Sequence, residues 1–117
     1  MAAMNPESRP VYLRLRDLIA AAILDGHYAD GDMLPSVRAF AAEHGANPLT
    51  VAKAYQSFQD DGLVTVRRGV GMFVAAGATA RLLQQERTHF LAEEWPAIAA
   101  RIHRLDLAMA DLMERAG

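Results

Sequence analysis

The sequence predicts a mainly α-helical protein of α+β type, in which three helices and a hairpin are followed by a helical pair. Three observations predict it. Apolar residues recur at helical spacing in three successive segments before Gly62. The stretch "VTVRRGVGMFV", from Val64 to Val74, sets β-forming runs on either side of two glycines. From about Thr79 helical character resumes, and Ile98, Ile102, Leu105, Met109 and Leu112 follow spacings of four, three, four and three.

The first helix is expected over about Pro10 to Leu24. Tyr12, Leu15, Ile19, Ala22 and Ile23 share one face, Ser8 is its expected cap, and Pro10 sits in its first turn. Gly26 ends it as a left-handed cap residue would. "HYADGDMLP" has room only for a turn at Asp30-Gly31 and a short strand. Ser36 caps a second helix that turns Val37, Phe40 and Ala41 inward and stops at Gly45. Asn47 caps a third, with Pro48 in its first turn and Val51, Ala54, Tyr55 and Phe58 on its inner face; "DDG" closes it at Gly62. Two short helices joined by a glycine-containing turn match a helix-turn-helix, and the hairpin that follows makes it a winged one.

"AAGATA" then reads as a short connection. Leu83, Phe90 and Leu91 are the apolar residues of the next helix, which Trp95-Pro96 is expected to interrupt, because a residue before proline is pushed from helical dihedrals. The final helix carries the heptad-spaced seam from Ile98 to Leu112. The expected organisation is therefore a winged helix-turn-helix over 9–76 and a two-helix segment over 77–117.

Composition narrows the classes. Apolar residues make up 52% and charged residues 22%, ordinary for a globular protein. No apolar run approaches the roughly 20 residues of a membrane span. "MAAMNPESRPVY" lacks a basic start followed by an apolar core, so no secretory signal is expected. Absence of cysteine removes disulfides and thiolate zinc sites and fits a reducing cytoplasm. The formal net charge is −2, with seven Lys/Arg against eight Asp/Glu in residues 1–76 and five against six thereafter. Any affinity for nucleic acid must come from where the charges sit, since their balance does not supply it.

Their placement is suggestive. With the inner face of the third helix assigned, Leu49, Lys53 and Gln56 point outward and Thr50 lies on the flank. Lys53, the single lysine of the chain, suits a guanine edge or a phosphate. Thr50 suits a base or phosphate, and an outward Leu49 suits a thymine methyl. A solvated helix surface is the bland alternative for Lys53 and Gln56. In the hairpin, Arg67 and Arg68 suit the negative potential of a narrow minor groove and its flanking phosphates, while Gly69 and Gly71 allow positive φ and close backbone approach. Ser36 and Arg38 stand at the start of the second helix, whose free amides suit a phosphate. A helix cap beside a surface arginine is the alternative there.

Residues 9–76 resemble the winged helix-turn-helix domain of GntR-type bacterial transcription regulators. The likeness rests on "LPSVR" entering the second helix, "NP..TVAKAY" in the third, the "DGLV" corner and the "RRGVGMFV" wing. The remainder resembles the YtrA-like subfamily, whose tail is a helical pair used for dimerisation. The 41 residues after Ala76 are too few for the larger effector or aminotransferase-like domains of other relatives. The resemblance implies DNA contacts from Arg38, Thr50 and Lys53 and from Arg68 and Gly69 in the wing, with Arg67 an adjacent extension. Leu49 departs from the pattern, since relatives usually place a polar residue there.

The expectation is a transcriptional regulator, a repressor, that binds a double-stranded DNA operator as a homodimer, with two-fold symmetry matched to a palindromic site. Phe90, Leu91, Ile98, Ile102, Leu105, Met109 and Leu112 form the expected dimer seam, against the alternative that the tail folds back on its own winged domain. A small-molecule effector of unknown identity between the subunits is carried as a further partner. His89 and Glu93 stand four apart with His103 beyond, but a metal needs three or four converging ligands, so no metal or cofactor is expected. No nucleophile–base set or glycine-rich phosphate loop supports an enzyme. The competing function is a winged domain that binds protein through an exposed apolar patch without binding DNA.

Overall fold

Helix α1 (Val11–Leu24) starts directly after Pro10, whose φ of −50° and ψ of 142° put it at the cap position rather than inside the first turn. The computed structural model describes residues 9–117, so Ser8, the expected cap, lies outside the described residues. Leu15, Ile19, Ala20 and Ile23 are buried on one side of α1, and Tyr12 and Ala22 are half-buried beside them. Asp25 caps the end, and Gly26 follows with a φ of 89°.

Helix α2 (Val37–His44) is capped by Ser36, whose Oγ accepts from the Ala39 N–H at 3.0 Å, and it ends at left-handed Gly45. Helix α3 (Pro48–Asp60) is capped by Asn47, whose Oδ1 accepts from the Leu49 N–H at 2.8 Å. Its inner face is sealed: Val51, Ala54 and Phe58 have no exposed surface and Tyr55 only 2%. Truncating a side chain buried like Phe58 to alanine costs about 3–5 kcal/mol, a large part of a small domain's stability.

Gly62, at a φ of 72°, turns the chain into β1 (Val64–Arg67), which pairs antiparallel with β2 (Gly71–Val74) so that Val64 faces Val74 and Arg67 faces Gly71. The expected short strand near Met33 is a single bridge to Phe73. Around it the Leu34 N–H donates to the Met72 carbonyl, Gly31 N–H to Val74, and Val74 N–H to Asp32, each at 2.8 Å. The Asp30–Leu34 loop is thus zipped to the edge of the hairpin.

The unit built on this core runs past Ala76 to Gln84, because Ala78 and Leu82 at the start of α4 (Ala78–His89) are buried in it. Asp30 caps that helix from a distance. Its carboxylate accepts from the Gly77 N–H (2.8 Å), the Thr79 N–H (3.1 Å) and the Thr79 hydroxyl (2.7 Å). The Thr79 hydroxyl, then the two backbone donors, hold this exposed carboxyl below its ordinary value. At the other end of α3, the Arg81 guanidinium donates to the Asp61 carbonyl at 2.8 Å and the Gly62 carbonyl at 3.3 Å, serving groups the helix end leaves unpaired.

The second unit, residues 85–117, departs from expectation at two places. Trp95-Pro96 does not interrupt the helix. Trp95 keeps helical dihedrals (φ −58°, ψ −42°), and a π turn at Phe90–Glu94 leads directly into α5 (Trp95–Arg104). The Trp95 N–H reaches back to the Phe90 carbonyl, and this wider turn accommodates a proline that has no donor of its own. The expected continuous seam is broken instead at Leu105–Ala108, before α6 (Met109–Ala116). Asp106 adopts a left-handed φ of 53°, its N–H donates to His103 and the Leu107 N–H to Ile102, a Schellman closure with aspartate in the place usually held by glycine. Two helical stretches result, but Ile98 and Ile102 lie on one and Met109 and Leu112 on the other.

Replacing Asp30 with alanine should lower the melting temperature at neutral pH. Because the folded carboxyl titrates below its ordinary value of 3.8, its contribution is present above that pH and fades as pH falls through the folded value. The gap between the melting temperatures of the two proteins should therefore be constant near neutral pH and start to narrow as the pH falls below about 3.8; a gap that does not narrow at all on acidification would assign the effect to something other than the charge.

Candidate nucleic-acid interface

The wing tip is built by glycine. Val70 N–H donates to the Arg67 carbonyl at 2.9 Å, closing a turn in which Gly69 takes a φ of 76°, the value a type II turn requires at its third residue. Gly71 follows at 151°, and a Cβ there would stand 3.1 Å from the Met33 sulfur. Both glycines of the wing therefore have a conformational reason, and Arg67 at the end of β1 and Arg68 in the turn are held at a tight, defined tip.

Between this tip and the start of α2 lies a cleft of about 590 Å³, floored by Leu34, Val37, Tyr55 and Met72 and edged by Ser36, Arg67, Arg68 and Gly69. The floor is held by Tyr55, whose hydroxyl donates to the Pro35 carbonyl at 2.7 Å; burial, with smaller contributions from Tyr28 and Glu43, pushes its phenol well above the ordinary range. Four of the expected contact residues thus share one concavity. Arg38, Leu49, Thr50 and Lys53 do not line it.

Those four stand as follows. Leu49 is 81% exposed at the start of α3, left uncovered by the described residues. Thr50 is half-buried, while Arg38, Lys53 and Gln56 are exposed. Gln56 donates to the Asp60 carboxylate at 2.9 Å, so it is engaged along its own helix. The Lys53 ammonium sits 4.2 Å from the Tyr12 ring centroid, and the Arg67 guanidinium 4.5 Å from that of Phe73. A cation over a ring face is attracted without being neutralised, so both groups keep their charge available for phosphate. Tyr12 was placed only on the buried side of α1; its position at the helix start, near the lone lysine, left no separate mark in the sequence.

Positive charge in residues 9–84 divides into two sets. Arg9 pairs with Asp17; Arg16 pairs with Asp61 at 2.6 Å, donates to the Ser57 hydroxyl and lies over Phe58; Arg81 serves backbone carbonyls. Among the described residues, Arg14, Arg38, Lys53, Arg67 and Arg68 have no carboxylate partner. All four cations expected at DNA belong to the second set.

In residues 85–117 no side chain is buried. Phe90, Leu91, Ile98, Leu105 and Met109 are exposed, as are Leu107 and Met113, which the heptad register did not include; Ile102 and Leu112 are half-buried. The π turn sets the Phe90 and Trp95 rings 6.4 Å apart. Among the described residues no three His, Asp or Glu side chains gather as a metal site, and no helix is long and apolar enough to cross a membrane.

Comparison with known proteins gives the same outline. A family model described as "Bacterial regulatory proteins, gntR family" matches residues 11–74. The HTH-type transcriptional repressor YtrA of Bacillus subtilis (strain 168) is 34% identical over 89 residues, 75% of this chain and 68% of that protein. The HTH-type transcriptional regulator YhcF of the same organism is 29% identical across 92% of this chain and 87% of its own length. A transcriptional regulator from Oenococcus oeni superposes with a TM-score of 0.69 at 31% identity, covering 99% of this chain and 92% of the other.

Proposed function

The chain belongs to the GntR family of bacterial regulatory proteins, and on that premise we propose how it acts. It is a DNA-binding transcription regulator with the outline of the YtrA-like members. It binds an operator duplex as a homodimer and represses from there. Leu49, Thr50 and Lys53 meet the major groove, the wing lays Arg67, Arg68 and Gly69 along the neighbouring backbone or minor groove, and Ser36 and Arg38 hold a phosphate at the start of α2. The observation that carries this reading is the cleft edged by Ser36 and the arginine tip of the wing, with none of the four cations expected at DNA held by a carboxylate among the described residues.

Dimerisation is supported by the apolar residues that 85–117 leaves uncovered. Ile98, Leu105, Met109 and Met113 are each more than two-fifths exposed, and a second copy is the simplest way to remove them from water. With the chain break at Leu105–Ala108, the seam is two short apolar faces rather than one long heptad stripe. A two-fold dimer calls for a palindromic operator with half-sites one turn or more apart. We place the protein in the bacterial cytoplasm, where its DNA is.

Selection of bound duplexes from a random pool should enrich inverted repeats. A gel shift with the selected duplex should show affinity falling steeply with salt, because phosphate contacts release counterions. Replacing both Arg67 and Arg68 with alanine should weaken binding by about tenfold or more and reduce the salt slope by about two. No enrichment of any duplex would favour the protein-binding alternative. For the dimer, Ile98→Asp with Ile102→Asp should yield monomers in analytical ultracentrifugation and abolish preference for the two-half-site duplex; an unchanged sedimentation coefficient would place the interface elsewhere.

A further inference from the structure

Lys53 is the single lysine of the chain, and its ammonium is not left to wander. Nζ stands 4.2 Å from the centre of the Tyr12 ring. Tyr12 is the second residue of α1 and is half-buried, whereas Lys53 is exposed on the outward side of α3. One turn further along both helices, Arg16 donates to the Ser57 hydroxyl at 2.8 Å and pairs with Asp61 at 2.6 Å. The two contacts are successive rungs of the α1–α3 seam, so the Tyr12 ring is carried by a part of α1 that is pinned to α3.

A lysine that binds DNA normally loses the freedom of a four-carbon stem when it settles on its target. An aromatic face attracts the ammonium and restricts the stem without supplying a counter-charge. We propose that Tyr12 is a positioning residue for DNA binding: its ring preorders Lys53, so that the ammonium is presented from α3 with part of its ordering already complete. The role belongs to the ring face and not to the hydroxyl. It rests on the reading that Lys53 contacts the operator.

The test compares full-length wild type with Tyr12→Phe, Tyr12→Leu, Lys53→Gln and the Tyr12→Leu/Lys53→Gln double variant on the selected operator duplex. Phenylalanine keeps the ring and should bind like wild type. Leucine keeps apolar volume on α1 but removes the ring, and should weaken binding about threefold. In the Lys53→Gln background the same leucine substitution should have no further effect, which a general loss of α1 packing would not reproduce. In the free protein, the Lys53 Hε protons should resonate upfield through the Tyr12 ring current and return to ordinary positions in Tyr12→Leu. Unchanged affinity in Lys53→Gln removes the DNA role of Lys53 and overturns both readings. Weakened binding by Lys53→Gln, with Tyr12→Leu either silent or equally costly in both backgrounds, overturns the positioning role alone. Phenylalanine as damaging as leucine would put the hydroxyl on the DNA itself and overturn it as well, as would the absence of the upfield shift.

Discussion

Burial of one face of α3 is the constraint from which the rest follows. Val51, Ala54, Tyr55 and Phe58 are sunk in the core, so the helix has one rotational setting and Leu49 and Lys53 have no choice but to face out. Polar contacts secure that setting at several points. Arg16 grips Ser57 and Asp61, Tyr55 bonds the Pro35 carbonyl, and Arg81 holds the carbonyls of Asp61 and Gly62. A recognition element gains from such rigidity, because order established during folding is not lost again on binding.

The same logic sorts the charges. A net charge of −2 gave no hint of a nucleic-acid partner, yet charge is not spread evenly in function. Arg9, Arg16 and Arg81 are occupied with carboxylates or carbonyls, and Arg16 and Arg81 tie α1 and α4 to the end of α3. Lys53 and Arg67 rest on aromatic faces, which leave their charge uncompensated, and Arg38 and Arg68 have no carboxylate partner among the described residues. Local field, not global balance, is what steers a phosphate backbone.

Residues 9–76 were legible because their signals are local. Periodicity marked the inner faces of α1, α2 and α3, caps at Ser36 and Asn47 marked two starts, and the glycines of "RRGVG" marked the tip. What failed depended on distance or on a competing conformation. Asp30 read only as half of a turn, because its partners Gly77 and Thr79 lie 47 and 49 residues away. The small residues of "AAGATA" read as a connection, whereas Ala78 is a core residue that begins a helix. Pro96 read as a stop because the compensating π turn has no sequence mark, and the seam read as continuous because Asp106, not glycine, takes the left-handed position. Of the site, residue types and faces were visible; the shared cleft of Ser36 with the wing and the Tyr12–Lys53 contact required the tertiary structure.

The claim that one outward helix face and the wing together engage duplex DNA is tested most directly by amide NMR during titration with an operator duplex. The account predicts that the largest shifts fall at Leu49, Thr50 and Lys53 and at Arg67, Arg68 and Gly69, with the buried positions Val51 and Phe58 much less affected. A complex that forms while those two stretches stay unperturbed, with shifts gathered in residues 85–117 instead, would contradict it.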